Sequence, residues 1–332
     1  MELTTFWFIA VAVLFTGYFV LEGFDFGVGM LLPVLGRNDS ERRVLLNTIG
    51  PVWDGNEVWL IAAGGAMFAA FPEWYATVFS GFYLPLLLIL LALIGRGVAF
   101  EYRSKQDDPR WRARWDRVIV AGSLIPTVLW GVAFANIVQG VPVDAAGEYT
   151  GNLVTLLNPY GLFGGVTTLA LFTLHGAVFL ALKSDGEVRH RARRLAGQLG
   201  PATLVVAGGF LAATVAVTGS ARAAVPAVVA GVALLGGVAA IRLGREGWAF
   251  AGTAVAIGLA VATLFAGTFP VLLPSTLDPA FSLTASNAAA SAYPLRIMTG
   301  VALVFLPLVI GYQAWTYWVF RRRIGVQHLS RR

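Results

Sequence analysis

Phe6-Trp-Phe-Ile-Ala-Val-Ala-Val-Leu-Phe-Thr-Gly-Tyr-Phe-Val-Leu-Glu22-Gly-Phe-Asp25-Phe-Gly-Val-Gly-Met-Leu-Leu32 is a run of 27 residues with only two charges. A helix needs about 20 apolar residues to cross a bilayer, so this run can span with some tilt. Its apolar stretch is too long for a cleavable signal peptide. No basic segment precedes it and no small-residue cleavage site follows, so it reads as a permanent helix. Working outward, the same reading predicts nine spans, near 6–32, 51–72, 78–102, 117–139, 160–182, 201–219, 223–241, 248–270 and 294–320. Spans six and seven touch at Gly219–Arg222. One broken helix is the alternative there, although 41 residues is too long for a single crossing.

Composition agrees. Of 332 residues, 57% are apolar and 13% charged, about half the roughly 25% usual for a soluble domain. A soluble fold of this size would expose too much apolar surface, and disordered chains are polar and highly charged. With no Cys, disulfide scaffolds and Cys-ligated metal or iron–sulfur sites are excluded. Residues 1–332 read as a single transmembrane domain of an all-α membrane protein, with loops too short for a soluble module.

The formal charge of +6 points to topology rather than to nucleic acid. Arg37, Arg42 and Arg43 follow span one. Arg103, Lys105, Arg110, Arg112, Arg114 and Arg117 follow span three. Lys183, Arg189, Arg191, Arg193 and Arg194 follow span five, and Arg242 and Arg245 follow span seven. Arg321, Arg322, Arg323, Arg331 and Arg332 follow span nine. That puts 21 of the 24 basic residues on one side. Positive loops stay cytoplasmic, so the N-terminus is expected outside and the C-terminus inside.

An intramembrane charge costs several kcal/mol and is a functional hypothesis by default. Here such charges cluster. Span one carries Glu22 and Asp25. Span two carries Asp54 and Glu57 in Pro51-Val-Trp-Asp54-Gly-Asn-Glu57-Val-Trp59, and span three carries Arg96 and Glu101. Each carboxylate pair is spaced i,i+3, one helix face, and by the expected topology all six charges lie in the cytoplasmic half. One Arg cannot neutralise four carboxylates. They read as a proton-conducting cluster or, alternatively, as a helix-terminus ion-pair network. Gly23-xxx-Gly27 reads as a close-packing face. His175, mid-span, reads as a haem ligand, a proton relay or an interhelical hydrogen bond, and the last is the ordinary role of a lone His. No His-x-x-x-His spacing occurs, and three His cannot hold several bis-His haems. Trp53 and Trp59 flank the acidic motif, as packing residues or as the wall of a quinone or lipid-tail crevice.

At Gly23-Phe-Asp25-Phe-Gly-Val-Gly29 and Trp53-Asp54-Gly-Asn-Glu57-Val-Trp59-Leu the sequence resembles subunit II of the cytochrome bd quinol oxidases. The resemblance continues through Gly36-Arg-Asn-Asp-Ser-Glu-Arg-Arg43, Ala69-Ala-Phe-Pro72, Ser80-Gly-Phe-Tyr83 and Phe100-Glu-Tyr-Arg-Ser-Lys105. Further along come Gly131-Val-Ala-Phe134, Gln139-Gly-Val-Pro142, Leu156-Leu-Asn-Pro159 and Phe269-Pro-Val-Leu-Leu-Pro-Ser275. In all it covers about residues 15 to 320. It implies nine transmembrane helices, as two four-helix bundles plus one peripheral helix, in a bacterial plasma membrane. It implies a complex that reduces O2 to water with quinol. Haem b and haem d would sit on a partner, subunit I, with none bound by this chain. A small single-helix subunit is a further candidate partner. The resemblance gives this chain a proton route from the cytoplasm, with the family's aspartate falling on Asp54 and its first-helix acid on Asp25. Glu57, which stands where some relatives have Gln, and Glu22 complete the candidate route. Some members hold a structural quinone, for which Trp59 is the candidate contact. The loop between the sixth and seventh helices, long in some members, is only a few residues here. A proton- or cation-coupled transporter and a purely structural subunit are the competing readings. Transporters commonly show inverted repeats, whereas these carboxylates occupy only the first half of the chain.

Overall fold

The computed structural model describes residues 2–329. Arg331 and Arg332, counted above among the inner basic residues, lie outside the described residues. The chain folds into helices α1 (Leu3–Leu35), α2 (Asp39–Ile49), α3 (Trp53–Ala70), α4 (Pro72–Gly81), α5 (Tyr83–Tyr102), α6 (Pro109–Gln139) and the single turn α7 (Leu153–Leu156). After these come α8 (Pro159–Lys183), α9 (Gly186–Thr218), α10 (Ala221–Arg242), α11 (Glu246–Thr268) and α12 (Ala292–Val319). Two short antiparallel strands, β1 (Val271–Leu273) and β2 (Leu283–Thr284), close the loop between α11 and α12.

Among the described residues, eight helices are long and apolar enough to cross a membrane: α1, α5, α6 and α8 to α12. The expected second span forms α3, a helix of 18 residues, but Asp54, Asn56 and Glu57 in its first turns make it less apolar than the others. The third span begins later than expected because two prolines divide the segment. Pro72 opens α4 and Pro85 lies in the first turn of α5. A proline has no N–H to give to the preceding turn, so a first turn is where it fits. By contrast, α6 and α9 start earlier than their apolar stretches. Asp108 accepts from Arg110 N at one start and Asp185 from Gly186 N at the other. Capping launches each helix among charged residues before the apolar run begins. Spans six and seven are separate helices, joined where Gly219 adopts a left-handed conformation (φ +59°).

Small residues set the closest approaches. Gly27 of α1 abuts Gly176 of α8, Gly131 of α6 abuts Gly164 of α8, and Gly237 of α10 abuts Gly252 of α11. Any Cβ at these points would meet the facing backbone, which is how membrane helices without a strong hydrophobic drive pack closely. Gly23 faces the Phe172 ring, so the expected close-packing face of α1 is its contact with α8.

The basic loops gather at one end of the bundle. Arg191 of α9 donates to Glu41 Oε2 (2.6 Å) and to Leu35 O (2.8 Å), tying α2 and the end of α1 to the α8–α9 turn. Arg103 donates to Asp39 (2.8 Å) and to Asp116 (2.5 Å), while Arg42 also reaches Asp116 (2.9 Å). Arg189 pairs with Glu246 (2.8 Å). The segment after α12 crosses the same end, with Ile324 N donating to Lys183 O and Asp185 N to Ile324 O.

Helix α12 stands apart. It rests on α1 and α3, and Leu295 is its one fully buried residue. Trp7 Nε1 of α1 holds one end by donating to Thr299 Oγ1 (3.1 Å).

Candidate functional site

Glu22 and Asp25 sit one turn apart on α1, and neither side chain reaches solvent. Arg96 of α5 reaches Glu22 and is equally buried. Its Nη2 donates both to Glu22 Oε1 and to Glu57 Oε1 of α3, the latter at 2.7 Å. The guanidinium lies over the Phe26 ring, 4.5 Å from its centroid, so an aromatic face lines the rest of its surroundings. Gly122 of α6 admits this arrangement: a Cβ there would lie 2.7 Å from Arg96 Cβ.

Asp25 is served by a neighbour the sequence reading did not single out. Asn56 Nδ2 donates to Asp25 Oδ2 at 2.7 Å. The other end of the same amide, Oδ1, accepts from Gln313 Nε2 (3.0 Å) and from the Tyr317 hydroxyl (2.8 Å), both on α12. One turn from Glu22, the buried Tyr18 hydroxyl accepts from Trp130 Nε1 (3.1 Å). Asn56 lies inside the acidic motif, and Gln313 is a lone amide in an apolar span, which is the signal that could have found them.

Polar capacity remains open inside the cluster. Glu22 Oε2, Asp25 Oδ1, and Nε and Nη1 of Arg96 are buried without a hydrogen-bond partner. Such atoms are uncommon in folded proteins. Here four of them belong to three neighbouring side chains, so the interior has places to accept and donate further hydrogen bonds.

Asp54 and Glu57 share a helix but not an environment. Glu57 turns in to Arg96 with 24% of its side chain exposed. Asp54 is exposed at the start of α3 and accepts from Gly55 N at 2.7 Å. The structure therefore joins Glu22, Asp25, Glu57 and Arg96 in one buried cluster and leaves Asp54 on the outer face beside it. Glu101 is exposed and apart from the cluster. Trp59 packs across Gly17 of α1, leaving no space there for a side chain. It does not line the open apolar cavity of about 580 Å³ between α1, α3, α4, α5, α6 and α11, whose walls include Phe68, Tyr75, Phe79, Trp130 and Phe134.

His175 is fully buried between α1, α8 and α11. Its Nε2 faces Val20 O (3.2 Å) and its Nδ1 faces Thr253 Oγ1 (2.7 Å), with the ring stacked on Phe250. A carbonyl only accepts, so Nε2 carries the proton and Nδ1 accepts from Thr253. This is the interhelical hydrogen bond among the three readings, and both nitrogens are taken. The histidine thus does not fit as a haem ligand. Among the described residues no group of three or more His, Asp or Glu is arranged to hold a metal ion.

The model of the family described as cytochrome bd terminal oxidase subunit II matches residues 3–320. The chain is 44% identical to cytochrome bd ubiquinol oxidase subunit 2 of Bacillus subtilis, over 96% of each chain. To the cytochrome bd-I ubiquinol oxidase subunit 2 of Escherichia coli it is 38% identical, covering 98% of this chain and 96% of that one. Its fold is similar to a chain in the structure of bd oxidase from Geobacillus thermodenitrificans. The TM-score is 0.80 at 17% identity, with 96% of this chain and 99% of that one covered. A likeness of fold at that identity adds architecture only, but the family match and the two relatives span nearly the whole chain. The eight apolar helices, the buried acidic cluster beside an exposed aspartate and these relatives converge: the chain belongs to the cytochrome bd terminal oxidase subunit II family.

Proposed function

We propose that this chain is the haem-free subunit II of a quinol-oxidising, O2-reducing complex, where it supports a haem-bearing subunit I and carries protons inward from the cytoplasm. The observation that carries this reading is the buried cluster of Glu22, Asp25, Glu57 and Arg96 beside the exposed Asp54, in the half of the bundle toward the end where the basic loops gather. Basic loops favour the cytoplasm, so that end is the cytoplasmic one. The N-terminus is then outside and the C-terminus inside the bacterial plasma membrane. With α3 as the ninth span, α1, α3, α5 and α6 make one four-helix bundle, α8 to α11 make the other, and α12 is peripheral.

In this reading Asp54 takes a proton from cytoplasmic water and releases it across the subunit interface toward the oxygen-reducing site. Asp25 Oδ1 and Glu22 Oε2, unpaired and buried, can each receive a proton. Arg96 keeps the cluster from accumulating negative charge. The haems supply the electron transfer when bound, and this chain's part is the proton. The apolar cavity would take the structural quinone or a lipid tail.

Asp54→Asn should slow O2 reduction by roughly 100-fold, the lower end of what a positioned proton-transferring side chain contributes. The haem content of the purified complex should be unchanged. Normal turnover would remove Asp54 from the route. Loss of haem instead would favour the structural reading, in which the same carboxylates are assembly contacts.

A further inference from the structure

We infer that Gln313 and Tyr317 of the peripheral helix are positioning residues for Asp25, acting through the amide of Asn56. This rests on the reading of Asp25 as part of the proton route.

Gln313 and Tyr317 are spaced i,i+4 and so share one face of α12. On a helix with a single fully buried residue, they are half-buried because this face meets α3. Both donate to the same atom, Asn56 Oδ1, at 3.0 and 2.8 Å. With its oxygen held by two donors, the amide must turn its Nδ2 to Asp25, where it donates at 2.7 Å.

The amide has two self-consistent orientations, because an Asn side chain offers a carbonyl at one end and an NH2 at the other. In the first, the one observed, Asp25 accepts. In the second, Asn56 Oδ1 would face Asp25, and a hydrogen bond could form only if the carboxyl carried a proton to donate. The NH2 would then face α12, where the Tyr317 hydroxyl and a turned Gln313 amide could accept. Passing between the two moves no heavy atom far and breaks no covalent bond. It reverses every hydrogen bond from Tyr317 to Asp25. As donors, the two α12 side chains favour the orientation in which Asp25 meets an N–H. Residues whose hydrogen bonds go to Asn56 rather than to Asp25 thereby bias how Asp25 takes up and gives away a proton.

The test is a mutant cycle on the intact complex, read as O2 consumption at saturating quinol with haem content measured alongside. Variants are Gln313→Leu with Tyr317→Phe, Asp25→Asn, and the three together. The two α12 changes should slow turnover several-fold with haem retained. They should add nothing once Asp25 is Asn, because residues acting through one group are not additive. Tyr317→Phe alone, which keeps one donor on Asn56, should give a smaller loss and serves if the double variant fails to assemble. Equal slowing in both backgrounds overturns the inference, since α12 then acts elsewhere. If the α12 variants turn over normally while Asp25→Asn is slow, the inference falls and the role of Asp25 stands. If Asp25→Asn is itself normal, the role of Asp25 falls and takes the inference with it.

Discussion

Arg96 is the residue on which the buried cluster depends. Its side chain and that of Glu22 are wholly enclosed, and Glu57 completes the trio at 24% exposure. Removing one partner of a buried ion pair leaves an uncompensated charge and costs about 3–5 kcal/mol. Arg96→Met should therefore lower the yield and thermal midpoint of the assembled complex sharply. Glu57→Gln should do so far less, because water already reaches that carboxylate. Equal midpoints for Arg96→Met and the parent would mean that the cluster is not held by this guanidinium. The charges themselves were legible in sequence, since carboxylates in an apolar run stand out. Their division was not: the i,i+3 spacing of Asp54 and Glu57 suggested a shared environment. A difference in orientation at the start of α3 sends one into the bundle and the other to its surface.

Among the elements, α2 shows how a short polar helix is kept in place. Asn38 caps it by accepting from Glu41 N, and Glu41 in turn accepts from Arg37 N. Burial raises the Glu41 carboxyl. The hydrogen bonds from Arg191 and Arg37 N, together with the Arg191 charge, outweigh that and hold it below its ordinary value. A carboxyl lowered on folding contributes stability above its unfolded-state pKa and loses it as pH falls through the folded-state pKa. The docking of α2 on α9 should weaken below the ordinary carboxyl range, and Glu41→Gln should lack that part of the acid sensitivity. Thermal midpoints of the complex measured against pH check this, and parallel acid slopes for the two proteins would exclude Glu41 as the cause. The polar lead-ins of α6 and α9 were invisible to hydropathy for a related reason. Once a capped turn exists, helix propagates through charged residues at little cost, whereas a hydropathy reading sees only the apolar part.

For the whole molecule the orientation is the property to test, and the sequence supplies a clean background because it has no Cys. Ser104 and Ala145 are exposed in loops at opposite ends of the bundle. Ala145→Cys should react with a membrane-impermeant maleimide in intact cells. Ser104→Cys should react only after permeabilisation. The reverse pattern would invert the topology and put the acidic cluster in the outer half, away from the proton source assigned to it.

The sequence by itself determined that the chain is a helical membrane protein, where most spans fall, and that the basic loops alternate. Bilayer thickness and the positive-inside bias act on local stretches, so run length and loop charge read them directly. It also carried enough ordered motifs to assign the family. Only the tertiary structure decided the partners: Arg96 between Glu22 and Glu57, Trp59 against Gly17, both nitrogens of His175 engaged, and α12 joined to Asp25 through Asn56. The hydrogen bonds of that last chain join residues 31 to 261 positions apart. Such contacts depend on which helix faces meet and how closely their small residues let them approach. No local pattern of hydropathy or charge encodes that.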